Sequence, residues 1–140
     1  MKHLIFLGFV FILIFSGCDE ERDFRNYCAD EVRFRVEPPT SFEIEPCYDD
    51  KGMIDMFIFN NGNEIIQSFN FFIDGENENK NFTVPLKLNA RDADILSINV
   101  QLKTIGKINR IDISPNILFH NETLECMHNN VIIRKIDSCY

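Results

Sequence analysis

The stretch His120-Asn121-Glu122-Thr123-Leu124-Glu125-Cys126-Met127-His128 places two histidines, carboxylates and a cysteine close together. On one continuous strand His120, Glu122, Cys126 and His128 would project from the same face, because side chains two apart share a side. Imidazole, carboxylate and thiolate together are zinc chemistry, but thiolate zinc sites are built from closely spaced ligand pairs. An exported cysteine serves as a bridge more readily than as a ligand. With Cys126 bridged, the set shrinks to His120, Glu122 and His128, and no metal or other cofactor is assigned.

Other chemistry is thinner still. Asp74-Gly75-Glu76-Asn77-Glu78-Asn79 offers oxygen ligands at alternate positions. It lacks the calcium-loop spacing, with glycine sixth and a bidentate glutamate after it, and reads as a solvated hairpin turn. No serine stands in a Gly-x-Ser-x-Gly elbow, and there is no glycine-rich phosphate loop. No pair of carboxylates is singled out for acid–base work. The chain is expected to be non-enzymatic.

A third set points to contact instead of catalysis. With Ile54, Met56 and Ile58 turned inward, Phe57 and Phe59 turn outward, and Phe72 does the same beside Phe71 and Ile73. That outward parity is normally polar. In a hairpin the three rings would form one apolar patch fit for a partner; in a crossover between sheets they would separate.

The elements that carry these residues are strands. Ile (19) and Phe (14) dominate while Ala (3) is nearly absent, a composition suited to pleated, half-buried surfaces. Period-two alternation predicts strands around Val32–Val36, Phe42–Ile44, Ile54–Ile58, Phe69–Ile73, Phe82–Leu88, Leu96–Leu102 and Ile111–Ile113. Shorter ones are expected at 118–126 and 131–136. Turn residues separate them, notably Asn60-Asn61-Gly62-Asn63 and Asp74-Gly75. No helical period is sustained. The spacing predicts one all-β domain, an antiparallel sandwich with Greek-key links, over residues 28–140.

The run Ile54-Asp55-Met56-Phe57-Ile58-Phe59-Asn60-Asn61-Gly62-Asn63-Glu64-Ile65-Ile66, followed by Phe69-Asn70-Phe71-Phe72-Ile73-Asp74-Gly75, resembles immunoglobulin-like sandwiches. Such domains occur in cell-surface adhesion-related proteins and in archaeal envelope and pilus-associated proteins. The likeness spans about residues 53–114 and implies a surface module that binds or spaces.

The N-terminus supplies an address. Lys2, the apolar run Leu4–Phe15 and the small residues Ser16 and Gly17 form the layout of a secretory signal, predicted as residues 1–17. The run is too short for a spanning helix. Ile14-Phe15-Ser16-Gly17-Cys18 resembles the lipobox of prokaryotic lipoproteins, although Phe15 departs from the usual Leu, Val or Ile. The resemblance implies lipidation of Cys18 and a membrane anchor, with residues 18–27 as an acidic tether. Loss of Lys2 takes the net charge from -8 to -9, and without a basic cluster nucleic acid is set aside as a partner.

Cys28, Cys47, Cys126 and Cys139 remain, an even number that predicts two disulfides. Three pairings are open; Cys28 with Cys139 and Cys47 with Cys126 would tie the two ends of the domain together. Sequons at Asn81-Phe82-Thr83 and Asn121-Glu122-Thr123 make Asn81 and Asn121 candidate glycosylation sites. The expected protein is an exported, lipid-anchored cell-surface β-sandwich that meets an unknown protein or glycan. An assembling surface-fibre or pilus-associated subunit is the alternative, and a metal-binding enzyme a more distant one.

Overall fold

A computed structural model describes residues 20–38, 46–134 and 136–139. The strands are β1 (Phe34–Glu37), β2 (Met53–Asn60), β3 (Ile66–Gly75), β4 (Asn79–Val84), β5 (Ala93–Asn99), β6 (Ile108–Phe119), β7 (Glu122–Glu125) and β8 (Val131–Ile133). Residues 20–31 are helical (α1), and a short helix, α2, spans Leu102–Ile105. No helix among the described residues is long and apolar enough to cross a membrane.

All strand pairs are antiparallel. One sheet has the order β1-β2-β5; the five-stranded sheet runs β4-β3-β6, with β7 and β8 sharing the far edge of β6. Alternation decides what lies between them. Ile54, Met56 and Ile58 of β2 meet Phe69, Phe71 and Ile73 of β3 and Ile111 and Ile113 of β6 in one core. Each such side chain contributes about 1.5–3 kcal/mol when fully buried. With β2 beside β5 in one sheet and β3 beside β6 in the other, and chain crossings at β2–β3, β4–β5 and β5–β6, the layout is an immunoglobulin-like Greek key.

Several boundaries differ from expectation. The strand expected at 111–113 and the start of the one expected at 118–126 are a single strand, and β6 continues through Pro115. The Pro115 carbonyl accepts from the Cys126 amide, so its proline nitrogen, on the same side, faces the gap between β7 and β8 where the Met127–Asn129 3-10 turn loops out. A missing donor is tolerated there. The strand expected to end at Leu88 stops at Val84, and Leu88 keeps only a bridge to Ile66. Leu102 opens α2 instead of closing a strand, and Val32 is buried ahead of β1. The strand expected at 42–44 lies outside the described residues.

The largest correction is α1, because residues 20–27 were expected to be an extended tether. They form a docked helix. Phe24 and Tyr27 pack against Phe119 at ring-centroid distances of 5.2 and 5.0 Å. Cys28 and Val32 complete a second small core with Ile117 and Cys126. The β2–β3 loop closes the helix from the other side: the amides of Asn63 and Glu64 donate to the Glu31 carbonyl, and those of Asn61 and Gly62 to the Arg33 carbonyl. A Cβ on Gly62 would lie 2.3 Å from the Glu31 oxygen, so only glycine permits this approach.

The disulfides also correct the expected pairing. Cys28 is bonded to Cys126 and Cys47 to Cys139, in place of Cys28–Cys139 and Cys47–Cys126. The reason is topological. α1 lies against the β6–β7 end and carries Cys28 to Cys126, while the C-terminal segment runs beside Tyr48. There the Tyr48 amide donates to Asp137 and the Cys139 amide to Tyr48.

Candidate functional site

The outer face of the five-stranded sheet is paved by the side chains that alternate with the core. β3 contributes Ser68, Asn70, Phe72 and Asp74, and β6 contributes Arg110, Asp112, Ser114 and Asn116. β4 adds Asn81 and Thr83, set directly across from Phe72 and Asn70. Pleating forces this arrangement, since Phe69, Phe71, Ile73, Ile111 and Ile113 take the other face.

These groups hold one another in place. The Asn116 amide donates to Ser68 (3.0 Å) and to the Asn70 carbonyl oxygen (2.9 Å), and Asn70 returns a bond of 3.3 Å. Thr83 donates to the same Asn70 oxygen (2.7 Å) and Ser114 to Glu125 (2.6 Å). Asn116 is 6% exposed, so this network fixes side chains that would otherwise rotate freely. Beside it the Arg110 guanidinium lies 5.6 Å from the Phe72 ring centre and pairs with Asp112 at 3.0 Å. Among them opens a shallow cup of about 390 Å³, bordered by Asn70, Phe72, Asn81, Thr83, Ser114 and Glu125. An aromatic ring ringed by fixed amides, hydroxyls and a carboxylate can stack on and hydrogen-bond a polar ligand.

No family model and no curated protein matches the chain. Among solved structures it is similar to a bacterial immunoglobulin-like domain from the M. primoryensis ice-binding adhesin. That likeness is 10% in identity with a TM-score of 0.44, and it covers 78% of this chain and 99% of the other. The order β1-β2-β5 facing β4-β3-β6 defines the fold by itself.

The three outward phenylalanines do not meet. Phe72 belongs to the cup, whereas Phe57 and Phe59 lie on the outer face of the other sheet, 6.2 Å apart. The crossover between β2 and β3 separates them. Arg35 covers Phe59 at 4.5 Å and pairs with Glu37 at 3.1 Å, so β1 shields one flank. On the other flank Ile95, across from Phe57, is 53% exposed, and β5 is a free sheet edge among the described strands.

The metal candidates also part company. His120 and Asn121 form the two-residue turn between β6 and β7, both at positive φ (49° and 68°), as a type I′ hairpin requires. The His120 ring stacks on Phe119 at 4.1 Å. His128 sits in the 3-10 turn, and Cys126 is spent in its disulfide. No group of three or more potential ligands forms among the described residues. The 74–79 segment is a hairpin turn whose Glu76 and Asn77 amides donate to Lys107 and Ile105. Both sequon asparagines are exposed, Asn81 on β4 at the cup and Asn121 at the hairpin tip. Cys18 lies outside the described residues.

Sequence reading missed Asn70, Ser114, Asn116 and Glu125. Their signal is in the sequence: Asn70 sits between Phe69 and Phe71, and Ser114 and Asn116 flank Pro115 in β6. Short hydrogen-bonding side chains stand there where a freely solvated face would carry Lys and Glu.

Proposed function

We propose that this chain is an exported, lipid-anchored cell-surface module that binds a polar partner, a glycan or an envelope protein, through the outer face of its five-stranded sheet. The observation that carries the reading is the cup around Phe72, whose polar neighbours are locked by the Asn70–Asn116–Thr83 network. Paired amides and hydroxyls are chemistry for recognition, and no catalytic residue is assigned. Two disulfides in a small domain support an oxidising compartment, and the lipobox-like residues before Cys18 support the anchor. Glycosylation at Asn121 is compatible with binding; a glycan on Asn81 would fill the cup.

The test is a screen of the folded protein against cell-surface glycans and envelope proteins, repeated with Phe72→Ala and Phe57→Ala. Binding lost with the first and kept with the second supports the reading. Binding that ignores Phe72 refutes it.

A second reading is favoured by a separate observation, the exposed Ile95 beside Phe57 and Phe59 on a sheet with a free β5 edge. That arrangement suits an assembling subunit that adds strands or buries the apolar face between copies. A clean monomer in size-exclusion chromatography at high concentration removes this alternative.

A further inference from the structure

The docking of α1 has a consequence for how an anchored domain stands. Cys18 is two residues from Glu20, and Glu20 is already within the helix. Two residues of chain reach at most about 7 Å. The helix cannot swing free, because Cys28 is bonded to Cys126, Tyr27 donates to Glu64, and Phe24 and Tyr27 pack on Phe119. The described helix, from Glu20 onward, is therefore held against the sandwich.

Strand directions define which end this is. β2 and β6 run toward α1, so the β2–β3 loop and the His120–Asn121 turn share its end. The opposite end gathers the Gly52 turn, the β3–β4 turn and α2, tied by bonds from Val100 to Gly52 and from Asn77 to Ile105. β6 alone, at 12 residues, spans about 40 Å between the ends.

We propose that the α1 end of the sandwich, with Glu122 and the His120–Asn121 turn, rests at the headgroups of the lipid bilayer, and that the α2 end and both outer sheet faces point into the surrounding medium. The inference depends on the lipidated Cys18 of the proposed function. A groove of about 510 Å³ opens at this end between α1 and the hairpin, floored by Phe24, Phe119 and Leu124 and edged by Glu20, Glu21 and Glu122. Its carboxylates come within about one Debye length of the lipid surface. Upright or partly tilted, the short link keeps this end lower than α2; only a domain lying flat brings the two ends level.

The full chain is expressed with its own leader in a host that processes lipoproteins, as Glu122→Cys and, separately, Lys103→Cys. Each introduced thiol is labelled with a donor dye, and energy transfer to acceptor-labelled headgroups is measured in the purified membranes, alongside the N-terminal mass. Acylated Cys18 with strong transfer from position 122 and several-fold weaker transfer from position 103 supports the proposal. A ten-residue Gly/Ser insertion after Asp19 is expected to shrink the difference. Equal or reversed transfer in a protein with acylated Cys18 overturns the orientation and leaves the anchor standing. An N-terminus without acyl groups overturns both.

Discussion

Tyr27, on α1, donates its phenolic hydrogen to the carboxylate of Glu64 in the loop between β2 and β3. Glu64 also accepts from the Ile65 amide at 3.0 Å, so one side chain both shapes its loop and holds the helix. The hydrogen bond to Glu64, with burial and the nearby charges of Glu64 and Glu31, pushes the Tyr27 hydroxyl up to about 12. An unfolded tyrosine titrates near 10. The raised value means the neutral phenol favours the folded state: its stabilisation is whole below about pH 10 and is lost as pH climbs from 10 through 12. Absorbance titration at 295 nm is expected to show one tyrosine ionising late, and Tyr27→Phe to abolish that phase while costing about 0.5–1.5 kcal/mol at neutral pH. A titration without a late phase contradicts the hydrogen bond.

The bridge between Cys28 and Cys126 is expected to be the main lock on α1. Replacing both cysteines with alanine should cost about 2–5 kcal/mol in denaturant unfolding and speed amide exchange across residues 20–31 more than in β3 or β6. Peptide mapping without reductant should recover the 28–126 and 47–139 linkages. Peptides joined 28–139 would refute the topology of this end.

Gly62→Ala drives a methyl group to 2.3 Å from the Glu31 carbonyl oxygen and 2.7 Å from the Arg33 nitrogen. Both neighbours are backbone, so the helix C-terminus and the loop must part, at a cost of about 1–3 kcal/mol. Asn60→Ala should be comparably damaging. The Asn60 side chain, 1% exposed, donates to the carbonyls of Glu64, Leu88 and Asn89 and accepts from Gly62, and orphaning such groups costs about 1–3 kcal/mol each. Thermal melts of both variants check this; an unchanged melting point in either excludes the role given to it.

At the candidate face, Asn70→Ala should weaken ligand binding by loosening Asn116 and Thr83 together, while Asn81→Gln preserves it. If the native protein carries a glycan on Asn81, Asn81→Gln should instead raise binding by uncovering the cup. Intact mass and equilibrium binding on the same samples distinguish the two cases.

What could be read in advance follows the range of the interactions involved. The parity of Ile54, Met56 and Ile58, and of Phe69, Phe71 and Ile73, is local, and it survives unchanged in the core. The Asn60–Asn63 turn is equally local, though its deeper role, a buried amide joining two crossovers, depends on Leu88 and Asn89 far along the chain. α1 was overlooked although Phe24, Tyr27, Cys28 and Val32 have helical spacing, because the charged residues around them read as a solvated leader. The alternation at Ile111–Ile113 and the candidate strand at 118–126 gave no sign of being one strand, because Ser114-Pro115-Asn116 between them joins through partners on β3 and β7 that are distant in the chain. Cysteine partners and the separation of Phe57 from Phe72 are set by which strands cross between sheets, and no short-range pattern encodes that.

The two disulfides also set the routes of mechanical force. Tension between α1 and Cys139 reaches Cys28 and then has two covalent routes: across the sulfur bridge to Cys126 and on through β8, or along the chain to Cys47 and across its bridge to Cys139. β2 to β7 lie between Cys47 and Cys126, outside both routes, whereas β1 and β8 each stand on one of them. Pulled from its ends, the domain can give up β8 and β1, yet β2 to β7 cannot be drawn out until a sulfur bond is cut.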